Sequence, residues 1–129
     1  MKKLIAVALV SVLGISACGS SGGAVINLDA KSFSQKITEA GVTVLDVRSA
    51  GEFSAGHLQG AINVDVEGMQ FDGDIAKLDK TKVYAVYCHS GRRSVIASKK
   101  MADAGFTSIF NLTGGILEWT SAGFPVVTV

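Results

Sequence analysis

The stretch Val83-Tyr84-Ala85-Val86-Tyr87-Cys88-His89-Ser90-Gly91-Arg92-Arg93-Ser94-Val95-Ile96-Ala97-Ser98 changes character at one residue. Val83 to Tyr87 is apolar and aromatic without polar alternation, the signature of a short strand buried on both faces. The run stops at Cys88, a polar loop with one glycine follows, and a helical pattern begins at Ser94. A thiol is thereby expected at the carboxyl end of a strand and the mouth of a helix. In open α/β sheets that edge is where ligands bind. Amides of such a loop and first helical turn attract negative charge. The same field favours a thiolate, the form of cysteine that attacks. Arg92 and Arg93 add full positive charges to the cradle.

Reading outward, Val25-Ile26-Asn27-Leu28 forms a short strand, and Asp29 caps a helix whose Phe33, Ile37 and Ala40 share a face up to Gly41. Val42 to Val47 reads as a second buried strand. Gln70 to Leu78 is a helix weakened by Gly73. The helix from Ser94 is expected to turn Val95, Ile96, Met101 and Ala102 to the sheet and Lys99 and Lys100 to water, ending at Gly105. Ser108 to Leu112 is the last strand and Ile116 to Ser121 the last helix. Strands alternating with helices predict an α/β fold, a central mostly parallel sheet with helices on both faces.

The loop spacing is Cys-x4-Arg, from Cys88 to Arg93. On this motif the chain resembles the rhodanese (sulfurtransferase) family. The related tyrosine phosphatases use a loop one residue longer, which would put the arginine at position 94, where this chain has Ser94. Two further stretches carry the resemblance in the right order. One is Asp46-Val47-Arg48-Ser49-Ala50-Gly51-Glu52-Phe53 with Gly56-His57-Leu58-Gln59-Gly60-Ala61-Ile62-Asn63-Val64, which the resemblance implies to be a strand, an irregular turn and the next short strand. The other is Leu112-Thr113-Gly114-Gly115-Ile116-Leu117-Glu118-Trp119 with Gly123-Phe124-Pro125-Val126. The resemblance covers residues 25–129 as one rhodanese-like, three-layer domain. It implies transfer of a sulfane sulfur from an anionic donor such as thiosulfate, through a Cys88 persulfide, to cyanide, a thiol or a protein. The rival reading keeps the fold and drops the catalysis, leaving a binding or redox-sensing module.

The residues themselves divide by role. Cys88 is the candidate nucleophile, and the polar residues after it argue against a plain structural cysteine. Arg93 at a helix start opposes the helix dipole, a cost explained by organising the loop or binding the substrate anion. Arg92 either meets substrate or is solvated. Gly91 lets the loop backbone turn its amides inward. His89 and Ser90 face either the pocket or water. Ser94 is a helix cap or a hydrogen-bond donor to a persulfide. Asp46, Arg48 and Glu52 can be read as an acid/base set, but they fit better as a charge-paired network fixing the turn. His57 reads as a hydrogen-bonded structural histidine. No general base is evident, and a pre-ionised thiolate needs none.

Residues 1–17 have a charged start at Lys2 and Lys3, an apolar run from Leu4 to Ile15 and a small-residue end, the anatomy of a secretory signal. Ile15-Ser16-Ala17-Cys18-Gly19 resembles a bacterial lipobox, which implies lipidation of Cys18. Residues 18–24, rich in Gly and Ser, then form a flexible tether. The alternatives for Cys18 are a spare thiol or a disulfide to Cys88. A lipidated chain would be membrane-anchored and extracytoplasmic, on the periplasmic side of a bacterial membrane. From Cys18 onward there are 10 basic and 11 acidic residues, a net charge of −1, without a basic stripe that would suggest nucleic acid. With two Cys, two His and no Cys-x-x-Cys, neither a metal nor a cofactor is expected. The 129 residues suit one domain, expected to act as a monomer.

Overall fold

A computed structural model describes residues 23–129, so the signal segment, Cys18 and most of the tether lie outside the described residues. Among the described residues five strands and five helices alternate. They are β1 (Val25–Leu28), α1 (Ala30–Lys36), β2 (Val42–Asp46), α2 (Ala50–Ala55), β3 (Ile62–Asn63), α3 (Phe71–Ala76), β4 (Val83–Tyr87), α4 (Arg92–Asp103), β5 (Ile109–Leu112) and α5 (Gly115–Ser121). All pairings within the sheet are parallel, in the order β1-β5-β4-β2-β3. The α/β fold with a parallel central sheet is the one expected from the alternation of patterns.

β4 occupies the middle of the sheet, and four of its five residues are buried. Its alternation divides two cores. Tyr84, Val86 and then Cys88 join Phe71, Ile75, Ala97, Met101 and Phe106 under α3 and α4. Ala85 and Tyr87 join Phe33, Leu58, Ile116 and Trp119 under α1 and α5. Edge-to-face aromatic pairs lock each layer, Tyr84 on Phe106 at 5.3 Å and Phe33 on Trp119 at 6.2 Å between ring centroids. Helices on both faces therefore press on the strand that ends in Cys88.

Three local expectations need correction. Residues 50–55 form α2 rather than an irregular turn, capped by Ser49, whose Oγ accepts from the Glu52 N–H at 3.3 Å. Ser49-x-x-Glu52 has the sequence of a capping box, but the Glu52 carboxylate accepts from the Ser49 hydroxyl at 3.0 Å and from Arg93. α1 starts as expected on Asp29, whose Oδ1 accepts from the Ser32 N–H at 2.8 Å, but it ends at Lys36, leaving Ala40 exposed. The third concerns α4. Its buried face is Ser94, Ala97, Ser98 and Met101, while Val95 and Ile96 are 56% and 45% exposed. Small side chains at positions 94, 97 and 98 let the helix lie close on the sheet, so size rather than hydropathy selects the inward face.

Candidate active site

Because β4 ends at Tyr87, Cys88 is the first residue beyond the sheet, and the chain turns through His89, Ser90 and Gly91 into α4. Gly91 sits at φ +104°, a left-handed conformation that side chains avoid, and its N–H donates to Cys88 Sγ at 3.0 Å. The loop is also closed from outside by the Thr113–Gly115 turn. A Cβ on Gly91 would stand 2.0 Å from the Thr113 carbonyl oxygen, and one on Gly115 would stand 2.4 Å from that of His89. α5 then accepts the loop's backbone, the Ile116 and Leu117 N–H groups donating to the Cys88 and His89 carbonyls at 2.9 and 3.1 Å. In a planar trans peptide the N–H opposes the C=O. Tying these carbonyls to α5 therefore turns the His89 and Ser90 amides away from it.

Two groups address the sulfur directly, the Gly91 amide and Ser94. The Cys88 thiol donates to Ser94 Oγ at 3.4 Å, and Ser94 Oγ donates to the Gly91 carbonyl at 3.3 Å. Ser94 is not the helix cap expected for it. α4 begins two residues earlier, at Arg92, and Ser94 lies fully buried in the first turn. When the thiol ionises, this hydroxyl can swing from the carbonyl to the sulfur without leaving its place. Cys88 itself is 1% exposed, a free thiol just beneath a loop whose His89, Ser90 and Arg92 are exposed.

The charged residues separate into two clusters. Arg93 reaches α2, with its Nη1 and Nη2 donating to Glu52 Oε1 and Oε2 at 2.7 and 2.8 Å and its Nε 3.7 Å from Glu67 Oε1. The geometry makes Arg93 an organiser that clamps the loop to α2. Arg92 is exposed and joins no ion pair among the described residues. The second cluster is buried. Asp46 Oδ2 accepts from Arg48 Nη2 and from the Tyr87 hydroxyl, both at 2.6 Å, while Arg48 Nη2 also donates to the Gly56 carbonyl at 2.6 Å. Glu52 thus belongs with Arg93, not with Asp46 and Arg48 as the sequence suggested. His57 stacks on Phe53 at 3.8 Å between ring centroids, its Nδ1 2.8 Å from the Phe53 carbonyl. The pairing of an imidazole N–H with that carbonyl gives His57 a structural place. Among the described residues no three His, Cys, Asp or Glu side chains gather to hold a metal ion.

Two contributors, Tyr87 and Glu67, were not singled out from sequence. Tyr87 looked like one more apolar strand residue, yet its hydroxyl joins Asp46 to the Leu58 N–H, from which it accepts at 3.0 Å. The signal was an amphipathic ring at the last position of a central strand. Glu67 meets Arg93 only through tertiary structure, and nothing local marks it; the Thr113–Gly115 turn belongs to a motif quoted above, but its closing of the thiol loop is a tertiary contact.

Two predictions follow from this geometry. Gly91→Ala is expected to destabilise the chain by at least about 2 kcal/mol, since the methyl meets backbone and the residue is held at positive φ. It should also slow any reaction of Cys88; a urea midpoint and an alkylation rate equal to wild type would contradict this. The second is a pH effect. The Arg93 hydrogen bond holds the Glu52 carboxyl down at about 2, against 4.5 for an ordinary glutamate. A lowered value in the folded chain means that the stabilisation is complete above 4.5 and fades as pH falls toward about 2. Glu52 is partly exposed, so screening leaves about 1 kcal/mol. Urea melts of Glu52→Gln should lie below wild type at neutral pH and converge with it across that acid window; parallel curves would refute the clamp.

Comparison with known proteins bears on this loop. The family model described as Rhodanese-like domain matches residues 29–122. Thiosulfate sulfurtransferase 16 of Arabidopsis thaliana is 36% identical over 96 residues, covering 67% of this chain and 80% of that protein. The senescence-associated protein DIN1 of Raphanus sativus is 34% identical over an alignment of 102 residues that covers 71% of this chain. The chain spans 56% of that relative's length. A crystal structure of a rhodanese-related protein from Thermoplasma volcanium superposes with a TM-score of 0.71 at 31% identity, covering 80% of this chain and 98% of that one.

Proposed function

The chain belongs to the rhodanese-like domain family, and from that premise we propose that it is a sulfurtransferase working through a persulfide on Cys88. The supporting observation is the sulfur's own setting, a thiol at the end of the central strand taking the Gly91 N–H at 3.0 Å and facing Ser94 Oγ at 3.4 Å. The Cys88 thiolate attacks the outer sulfur of thiosulfate. The new S–S bond forms as the old one breaks, and its electron pair leaves with sulfite. The persulfide anion that remains inherits the Gly91 and Ser94 hydrogen bonds. A cyanide ion, a thiol or an acceptor protein then attacks the outer sulfur, and the electron pair returns to Cys88. With Arg93 committed to Glu52, the unpaired Arg92 is the cation available to meet the donor's charge. No group in this scheme needs to act as a base.

A second reading, a non-catalytic or redox-sensing module, draws on the 1% exposure of Cys88. Intact mass after exposure to thiosulfate separates the two. A one-sulfur gain, discharged by cyanide or a thiol, supports transfer. An unchanged mass would favour the module.

The lipobox-like sequence at Cys18 supports a further proposal, that the domain is tethered by lipid outside the cytoplasm. No helix among the described residues is long and apolar enough to cross a membrane. Incorporation of labelled palmitate should therefore vanish in Cys18→Ser; equal labelling of the two chains would refute the anchor.

A further inference from the structure

α4 packs on β4 and β5 and reaches the edge strand β1, where Val25 and Asn27 stand two residues apart and so share a face. Between these residues and the helix lies a cavity of about 310 Å³, whose lining includes Val25, Asn27, Val95, Ser98, Ala102 and Asn111. Its floor is polar and buried, with Ser98 and Asn111 each 1% exposed. Asn111 Nδ2 donates across the strands to Asn27 Oδ1 at 3.0 Å. Yet Ser98 Oγ and Asn111 Oδ1 have no hydrogen-bond partner among the described residues. Leaving a buried polar atom unpaired is destabilising, because its hydrogen bonds to water are lost and not replaced. Both residues line the same cavity.

We infer that this cavity binds a small neutral molecule carrying an amide edge, an N–H donor beside a C=O acceptor, on an apolar body. The hydroxyl of Ser98 can donate to such a carbonyl while Asn111 Oδ1 accepts from the N–H. An amide edge offers donor and acceptor together, so it pairs with Asn111 in either orientation of the carboxamide. Val25, Val95 and Ala102 supply the apolar wall. The charges at the rim neutralise each other, Lys99 Nζ lying 2.8 Å from Asp103 Oδ2, which leaves nothing to favour an ion. A volume of this size is at the lower end of ligand pockets, roughly 300 Å³ and upward, and suits a fragment rather than a large cofactor. The site is distinct from the thiol, although Ser98 lies one turn after Ser94 on the buried face of the same helix.

The test is a titration of the isotope-labelled full chain with benzamide, followed by amide chemical shifts, with toluene and benzoate as comparators. Benzamide should give saturable shifts centred on Val25, Asn27, Val95, Ser98, Ala102 and Asn111. Toluene, lacking the polar edge, and benzoate, carrying a charge, should each bind about tenfold more weakly. Ser98→Ala should weaken benzamide binding by a similar factor. Its unfolding midpoint should stay the same or rise, because an unpaired hydroxyl has been removed. Shifts that do not saturate, comparators that bind as well as benzamide, or undiminished binding by Ser98→Ala would overturn the inference and leave a cavity that holds only water.

Discussion

Cys88→Ser is expected to abolish sulfur transfer from thiosulfate to cyanide, a loss on the order of a thousandfold or more, down to the uncatalysed background. The reason lies in what surrounds the atom. The Gly91 amide and Ser94 hydroxyl can stabilise a sulfur anion once it forms, and among the described residues no carboxylate or imidazole is hydrogen-bonded to the side chain at position 88 to draw the proton from an alcohol. A serine hydroxyl at this position would remain protonated, and an unionised alcohol does not attack a sulfane sulfur. The fold should barely notice. The replacement is close in size, and its Oγ can accept from the same Gly91 N–H and exchange a hydrogen bond with Ser94. Unfolding should therefore shift by no more than about 1 kcal/mol. The pair of measurements matters, because activity lost with stability retained assigns the chemistry to the sulfur. A Cys88→Ser chain that still turned over at a tenth of the wild-type rate would sink the persulfide mechanism.

How much of this could be read from sequence varied with the range of the interaction. β4 and its break at Cys88 were legible because an apolar run followed by His, Ser, Gly and two Arg is a local signal. Asp29 at the start of α1 was legible for the same reason, as a cap acts on its own neighbours. α4 was misread on one face because hydropathy assigned Val95 and Ile96 inward, whereas close packing chose Ser94, Ala97 and Ser98. The partners of charged residues were the hardest to assign. Glu52 and Arg93 are 41 residues apart, as are Asp46 and Tyr87, and only the crossing of β2 beside β4 decides which acid meets which donor. The role of Gly91 was half visible. A turn was expected, but the close approach of the Thr113 carbonyl, which excludes any Cβ, belongs to another strand's end.

The largest loss of stability is expected from Asp46→Ala. Asp46 is fully buried and Arg48 is 4% exposed, so the substitution strands a guanidinium in a place closed to water. It also removes the acceptor of the Tyr87 hydroxyl and of the Arg48 N–H, the latter donating to Asp46 Oδ1 at 2.9 Å. Breaking a buried pair by deleting one partner costs about 3–5 kcal/mol. A domain of this size has about 5–15 kcal/mol in all, so the variant should melt more than about 10 °C below wild type or fail to accumulate. Arg48→Ala alone leaves a carboxylate that still accepts from Tyr87, and it should cost less. The double variant should cost less than the sum of the singles, since the second deletion removes the group stranded by the first. Additive effects, or an Asp46→Ala midpoint within about 1 kcal/mol of wild type, would mean that Arg48 finds solvent by a route the packing does not suggest. The consequence reaches the thiol through one covalent step. The Tyr87 hydroxyl is held between Asp46 and the Leu58 N–H, and its backbone carries directly into Cys88. Slower alkylation of Cys88 in whatever Asp46→Ala remains folded would show that the buried cluster sets the position of the sulfur as well as the stability of the sheet.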